Sequence, residues 1–326
     1  KGSDFPEKEL TEAQKHILPL SDYRNEIVFR SDDFCLGCAA YPDYPIRTFE
    51  KGPFFLVIEG QIYNKGQQTL CEEVVDIAAS RAGDNKKSST ILKKWVGSGD
   101  GDFLVWIWAR EEKKFFLFND ALGLLPLYYS QTGNRLIVSR RTEFCRYFNP
   151  DFRPDERGLA ESLVFGFPLG NRTLLDGVFR LPPGTLLTAS AADPRPRLSR
   201  IHDFNFDRKS EAGKSYSQLS EELETVFLTA CRRRAERHRD SKLIVSLSGG
   251  LDSRAVAAGL LKCGSRIRAA SFLDADEERA ADAALAERIA GKLEIPWRLF
   301  YLKRPGIDDY RRMIDLKDGL CSVGMS

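Results

Sequence analysis

Leu243-Ile244-Val245-Ser246-Leu247-Ser248-Gly249-Gly250-Leu251-Asp252-Ser253-Arg254-Ala255-Val256 decides how this chain is read. Leu243 to Leu247 has the length and β-branched content of a buried parallel strand. Gly249 and Gly250 then open backbone conformations that side chains forbid, and they leave no Cβ in the way of an approaching group. Ser253 to Leu261 is helical in period and ends near Gly264, a natural C-cap. The stretch therefore predicts a strand, a glycine turn and a helix start. The first turn of such a helix carries unpaired N–H groups and the positive end of the dipole, so anions bind there. Ser248 and Ser253 add hydroxyl donors. Asp252 would repel a bare phosphate, and Mg²⁺, held by a carboxylate or two plus phosphate oxygens, supplies the reason for it. Asp and Ser also cap helices for local reasons. Two serines, two glycines and an aspartate in S-G-G-x-D-S favour phosphate binding over plain capping. No Lys follows the glycines and the spacing is not G-x-G-x-x-G, so neither the Walker A loop nor the dinucleotide fingerprint applies.

A regular alternation surrounds the turn. A helix is predicted over Leu251 to Lys262, a strand over Arg266 to Leu273, an Ala-rich amphipathic helix over Glu277 to Lys292, and a strand over Ile295 to Leu302. Strands separated by helices of this length make parallel βαβ units with right-handed crossovers. Ligands on such sheets lie at the carboxyl ends of the strands. The S-G-G turn sits there, with Phe272 to Asp274 as the expected floor for a flat ring. Before the turn, Tyr216 to Arg237 reads as a helix with Leu219, Leu223, Val226, Phe227 and Ala230 on one face. Its end, Cys231 to Arg239, is basic. Cations suit a helix C-terminus, and the acidic start at Glu221, Glu222 and Glu224 balances them, so a nucleic-acid surface is not expected. A formal net charge of only +2 agrees.

The first two hundred residues have another texture. Short apolar or alternating runs at Phe54 to Ile58, Phe103 to Trp108, Phe115 to Asn119, Leu136 to Val138 and Thr185 to Leu187 are bounded by Gly, Asn, Asp and Pro. They predict an antiparallel sandwich, interrupted by two helices, Thr69 to Arg81 and Glu156 to Val164. Cys35-Leu36-Gly37-Cys38 has redox or zinc spacing but no second pair. It lies in a strand-like stretch whose side chains diverge, so coincidence is the reading. Residues 189–215 are polar and rich in Pro, Ser, Arg and Asp, and read as an interdomain connection.

The turn SLSGGLDS resembles the pyrophosphate loop of the ATP pyrophosphatases, which cleave ATP to AMP and pyrophosphate, and it is most similar to that of asparagine synthetase and its relatives. Three more strings carry the resemblance in order. Glu59-Gly60-Gln61-Ile62-Tyr63-Asn64 is similar to the N-G-E-I-Y-N segment of that family's glutaminase domain. Gly101-Asp102-Phe103, with Asn119 to Tyr129, is similar to its G-x-F and R-D-x-L-G-x-x-P-L-Y-Y core. Arg172-Thr173-Leu174 through Leu181-Pro182-Pro183-Gly184 is similar to its R-T-L…L-P-P-G exit. The resemblance runs from roughly residue 50 to 302. It implies a two-domain chain, α/β and α+β. Residues 1–200 are expected to form an Ntn-hydrolase-like antiparallel β-sandwich with flanking helices. Residues 201–215 would join it to the first part of a parallel α/β PP-loop synthetase domain over 216–326.

The departures bear on the chemistry. A working glutaminase of this class uses an N-terminal Cys whose thiol is the nucleophile and whose free α-amine acts as base. This sequence begins with Lys1 and has no Cys before Cys35. The Asn that would donate to the oxyanion is Glu59, whose carboxylate would repel a developing negative charge. No counterpart of the family's glutamine-binding Arg segment stands out. The N-terminal domain is therefore expected to keep its fold without the glutaminase.

The resemblance then implies an ATP-dependent amide-forming ligase. It would adenylate a small-molecule or peptide carboxylate, release pyrophosphate, and pass the acyl group to ammonia or a substrate amine, as in β-lactam synthetase and the lasso-peptide cyclases. ATP and Mg²⁺ are the expected cofactors. Ser248, Gly249, Gly250, Leu251, Asp252 and Ser253 would hold the nucleotide. Asp252, Ser248 and Ser253 would act in catalysis by positioning and charge neutralisation, with Asp252 on the metal. A non-catalytic nucleotide-binding scaffold is the alternative, and Arg254, where asparagine synthetases usually have Ser, favours it. A tRNA-modifying ATP pyrophosphatase is a third reading, which the glutaminase-like half opposes.

Composition agrees with a globular protein: 42% hydrophobic and 29% charged residues over 326 positions make two domains the default. No run of about 18 apolar residues predicts a membrane span, and no signal peptide is visible. Seven scattered cysteines suggest reduced thiols and a cytoplasmic setting. After Leu302 come one amphipathic stretch, Asp308 to Leu316, and then Cys321 to Ser326. Three strands leave sheet edges uncovered, and the family's second acidic loop, S-G-x-G-x-D-E, does not occur. The remainder is expected to have been cut, to be disordered, or to lie on another chain, a second copy or a partner supplying the rest of the synthetase domain.

Overall fold

A computed structural model of the chain describes residues 7–16, 23–83, 85–204, 213–239, 241–273 and 280–317. They divide into two compact units, one within 1–204 together with 309–326, the other within 205–308.

The first unit runs α1 (Glu7–His16), β1 (Arg24–Arg30), β2 (Cys35–Ala40), β3 (Ile46–Lys51), β4 (Phe54–Ile62), α2 (Gln67–Gly83), α3 (Asn85–Ser98), β5 (Gly101–Ala109), β6 (Lys114–Asn119), β7 (Tyr128–Thr132), β8 (Arg135–Ser139), α4 (Thr142–Tyr147), α5 (Glu156–Phe165), β9 (Val178–Arg180), β10 (Thr185–Ser190) and β11 (Arg197–Arg200). Its main sheet is six-stranded and antiparallel, in the order β11-β10-β6-β5-β4-β3; a second sheet has the order β8-β7-β9, and β1 pairs with β2. The unbroken apolar runs of β4 and β5 look unlike a half-exposed antiparallel strand. The reason is that both faces of the sheet are covered. Phe54, Leu56 and Ile58 with Phe103, Val105 and Ile107 pack against Leu70, Val74 and Ile77 of α2 and Leu92, Trp95 and Val96 of α3. The alternate set, Phe55 and Val57 with Leu104, Trp106 and Trp108, packs against the β1–β2 hairpin and the inner face of the second sheet. Cys145 of α4 closes the outer face of that second sheet over Tyr128 and Ile137. The result is the expected antiparallel sandwich with flanking helices.

Polar anchors set the loops at one end. The Asp120 carboxylate accepts from the N–H groups of Leu122 (2.9 Å) and Leu124 (3.1 Å). Asn119 donates to the Pro182 carbonyl and accepts from the Thr185 N–H, both at 2.9 Å. Gly60 is required where it stands: its φ is +91° and a Cβ would lie 2.0 Å from the Asp102 carbonyl oxygen.

The second unit holds α6 (Tyr216–Arg237), β12 (Leu243–Ser246), α7 (Leu251–Lys262), β13 (Ile267–Leu273), α8 (Ala280–Lys292) and β14 (Trp297–Tyr301); α9 (Ile307–Leu316) follows. The three strands are parallel in the order β12-β13-β14. One face of the sheet is packed: Val245, Ile267 and Ala269 meet Ala257 of α7 and Ala286, Ile289 and Ala290 of α8. On the other face Ile244, Phe272 and Phe300 are exposed.

Several expectations change in detail. α1, α3 and α4 stand where no helix was predicted, although Leu92, Trp95 and Val96 of α3 have helical spacing and are buried. Residues 189–200, read from their polarity as connection, finish β10 and form β11, an edge hairpin whose outer residues are exposed. An edge strand needs few apolar residues, which is why composition misled there. The remainder of that connection is only partly visible, since 205–212 lie outside the described residues. The helix predicted from Glu277 is described from Ala280. Asp274, residues 277–279 and the stretch Cys321 to Ser326 also lie outside the described residues. Cys35 and Cys38 both fall in β2, and no group of three or more His, Cys, Asp or Glu able to hold a metal occurs among the described residues.

Candidate functional site

The quoted stretch folds as its residues require. β12 ends at Ser246, and the Leu247 N–H donates to the Ala270 carbonyl (2.8 Å), so the ladder with β13 continues one residue into the turn. The Leu247 carbonyl accepts from Ser271 Oγ at 2.6 Å, and Ser271 Oγ in turn accepts from the Trp297 indole N–H at 2.8 Å. The three strands are thus tied by side chains directly beneath the turn.

Above this floor Ser248 and Ser253 close on each other. The Ser248 N–H donates to Ser253 Oγ (3.1 Å), and the two hydroxyl oxygens lie 3.0 Å apart. The Gly250 N–H donates to Ser248 Oγ at 3.2 Å. Gly250 is the N-cap of α7, extended at φ −72° and ψ 164°, and no side chain caps this helix. The N–H groups of its first turn, at Leu251, Asp252 and Ser253, are therefore left for another acceptor. Leu251 and Asp252 are exposed. A Cβ on Gly250 would meet only Ser248 Oγ, at 3.2 Å, so this side of the turn is open. All six sequence-selected residues, Ser248 through Ser253, come together at the carboxyl end of the first strand. The arrangement presents N–H groups, two hydroxyls and a helix dipole to an incoming anion, with one carboxylate beside it.

Sequence reasoning missed three neighbours and gave Arg254 no contact with the turn. Asp282, in the first turn of α8, accepts from the Gly249 N–H at 2.8 Å. Arg254 Nη2 donates to the Gly249 carbonyl at 3.1 Å. Ser271 and Trp297 complete the floor. No local signal pointed to Asp282, because the helix predicted from Glu277 put it beyond the first turn. At the end of β13, Phe272 is half exposed and stacks on Phe300 with ring centroids 5.7 Å apart.

In the first unit, Glu59 is buried in β4. Tyr44 donates its hydroxyl to Glu59 Oε1 at 2.6 Å, and Arg140 Nε lies 3.4 Å from the same oxygen. The position resembling an oxyanion donor thus holds an ion-paired acid. Burial, and then the Glu59 charge, push the Tyr44 hydroxyl above its usual range. Burial, with the charges of Glu26 and Glu59, pushes the Cys38 thiol up to about 11, so it is protonated at neutral pH and is no nucleophile.

An antiparallel sandwich of amidotransferase type followed by a parallel α/β unit with a serine–glycine turn defines the class. Residues 43–198 match the glutamine amidotransferase domain and residues 222–324 match asparagine synthase. The two matches in this order are consistent with an asparagine synthetase-related family. Among curated proteins it is similar to the amidase chry2 of Gibberella zeae, 26% identical over 230 residues, which are 67% of this chain and 33% of that protein. The chain thus spans about a third of the length of the curated relative it matches. Among solved structures it is aligned with the glutamine phosphoribosylpyrophosphate amidotransferase from B. subtilis in complex with ADP and GMP, at 10% identity and a TM-score of 0.29, over 85% of this chain and 55% of that one.

Proposed function

We propose that this protein is an ATP-dependent, AMP-forming carbon–nitrogen ligase. A substrate carboxylate oxygen attacks the α-phosphorus of ATP and pyrophosphate leaves. An amine, either ammonia or one carried by the substrate, then attacks the acyl carbon and AMP leaves with the bonding electrons. The observation that carries the reading is the turn itself: two hydroxyls 3.0 Å apart, an open glycine and an uncapped helix start.

The residues present fit the nucleotide and its metal. Ser248, Gly250 and the N–H groups of Leu251, Asp252 and Ser253 would hold phosphate oxygens, and the stacked Phe272 and Phe300 offer a flat apolar surface to a base. Asp252 is exposed at the turn and would bind Mg²⁺ together with those oxygens, which is how Mg²⁺ is commonly held when a protein supplies one or two carboxylates. When bound, the ion neutralises charge on the departing pyrophosphate. The chain's own contribution is positioning, from a turn whose hydrogen bonds are already formed. The Gibberella zeae relative is called an amidase, and its name and this reading share the amide bond.

The amidotransferase-like unit does not supply the nitrogen in this account. Glu59 would set a carboxylate where an oxyanion must be stabilised, and Tyr44 and Arg140 engage it instead.

Pyrophosphate release from Mg-ATP by the full-length protein, with ammonia and a panel of carboxylates, tests the proposal. Substrate-dependent AMP and pyrophosphate that disappear in Asp252→Ala are the expected result. Turnover surviving Asp252→Ala would remove the metal role. ATP binding without any turnover across the panel would favour the non-catalytic scaffold.

A further inference from the structure

We propose that Asp282 is a positioning residue: it braces the glycine turn from α8 and keeps the turn in the shape that accepts phosphate. Gly249 is gripped at both ends of its backbone, its N–H by the Asp282 carboxylate at 2.8 Å and its carbonyl by Arg254 at 3.1 Å. A Cβ on Gly249 would fall 2.4 Å from Asp282 Oδ1 and 3.0 Å from Leu285 Cδ2, so this glycine is packed against α8. Gly250 meets only the Ser248 hydroxyl. The two glycines therefore do different work. One lets a carboxylate approach from behind, and the other leaves the front clear.

An acid beside a turn built for a polyanion is unfavourable by charge alone. Two features make a brace the better account than a plug that a ligand displaces. The carboxylate fills space that helix side chains already close, and Arg254 brings a cation to the same residue. With Gly249 held by Asp282, the Ser248 N–H held by Ser253 and the Leu247 carbonyl held by Ser271, each residue from Leu247 to Gly249 is fixed before any ligand arrives. Donors fixed in advance need no reorganisation on binding. The affinity part of this proposal rests on reading the turn as the phosphate site.

The test uses the full chain, with Mg-ATP and inorganic pyrophosphate as probes, and follows exchange of the Gly249 amide hydrogen by NMR. The brace predicts that Asp282→Ala loses Gly249 protection and weakens both probes by about tenfold, the usual worth of a hydrogen bond to a charged acceptor. Asp282→Asn, which keeps an acceptor oxygen, should retain protection and most of the affinity. Tighter binding in both variants would make the carboxylate a competitor of phosphate and overturn the proposal. Unchanged Gly249 exchange in Asp282→Ala, or an Asn variant no better than Ala, would overturn it too. If the wild-type chain takes up neither probe, the phosphate reading falls, and Gly249 exchange still decides whether Asp282 braces the turn.

Discussion

Gly249 and Gly250 are neighbours with opposite tolerances. Alanine at 249 must push aside the ends of the Asp282 and Leu285 side chains, and loss of the hydrogen bond from the Gly249 N–H to the Asp282 carboxylate costs about 1 kcal/mol or more. Alanine at 250 keeps an ordinary extended backbone and should change stability by less than about 0.5 kcal/mol. Denaturant titration should therefore show a lowered midpoint for Gly249→Ala alone. Mg-ATP affinity should fall for both, because the second methyl group stands in the open approach. The six residues of the turn were legible because they are contiguous and local rules govern them. Asp282 was not, since it meets Gly249 from 33 residues away, nor was Ser271, 24 residues from its partner. Those contacts exist only once α8 and β13 have packed. Cys38 offers a residue-scale pH test. Burial and two nearby acids disfavour its thiolate, so the neutral form persists up to about pH 11. Its alkylation rate should keep rising about tenfold per pH unit beyond pH 9, where an ordinary thiol levels off. A plateau near pH 9, followed by mass spectrometry of the Cys38 peptide, would refute that assignment.

At the scale of elements, α6 and α7 begin in opposite ways. Ser215 caps α6 in a reciprocal box with Gln218, whereas α7 starts at a glycine with no side-chain cap. A capped helix start is already satisfied, and an uncapped one is ready for an anion. Ser215→Ala should cost about 1 kcal/mol of stability by thermal or denaturant unfolding and leave nucleotide binding unchanged. The basic end of α6 fits its dipole, with Arg234 and Arg237 in the last turn. Sequence periodicity located both helices at their observed ends, although Leu219, Leu223 and Val226, read as part of one apolar face of α6, are exposed. It failed at α3, whose polar beginning hides the buried Leu92, Trp95 and Val96, and at β11, whose four residues are all exposed. In each case tertiary covering, which no local window contains, decides the structure.

Over the whole molecule, the first unit retains the layers of an amidotransferase domain, and Glu59, which our reading puts in the place of an oxyanion donor, is engaged by Tyr44 and Arg140. Glutamine should therefore fail to replace ammonia or an amine in driving pyrophosphate release, and no glutamate should form. Glutamate production matching AMP production would show that the first unit still hydrolyses glutamine. The central claim concerns the second unit: the serine–glycine turn at the end of β12 is where the phosphates of ATP are held. The most direct measurement is equilibrium competition between Mg-ATP and inorganic pyrophosphate on the full-length wild-type protein, repeated with Ser248→Ala and Ser253→Ala. The account predicts one shared site, weakened about tenfold or more in each variant through loss of a hydroxyl donor to a charged group. Absence of Mg-ATP binding, or affinity indifferent to both serines, would contradict it.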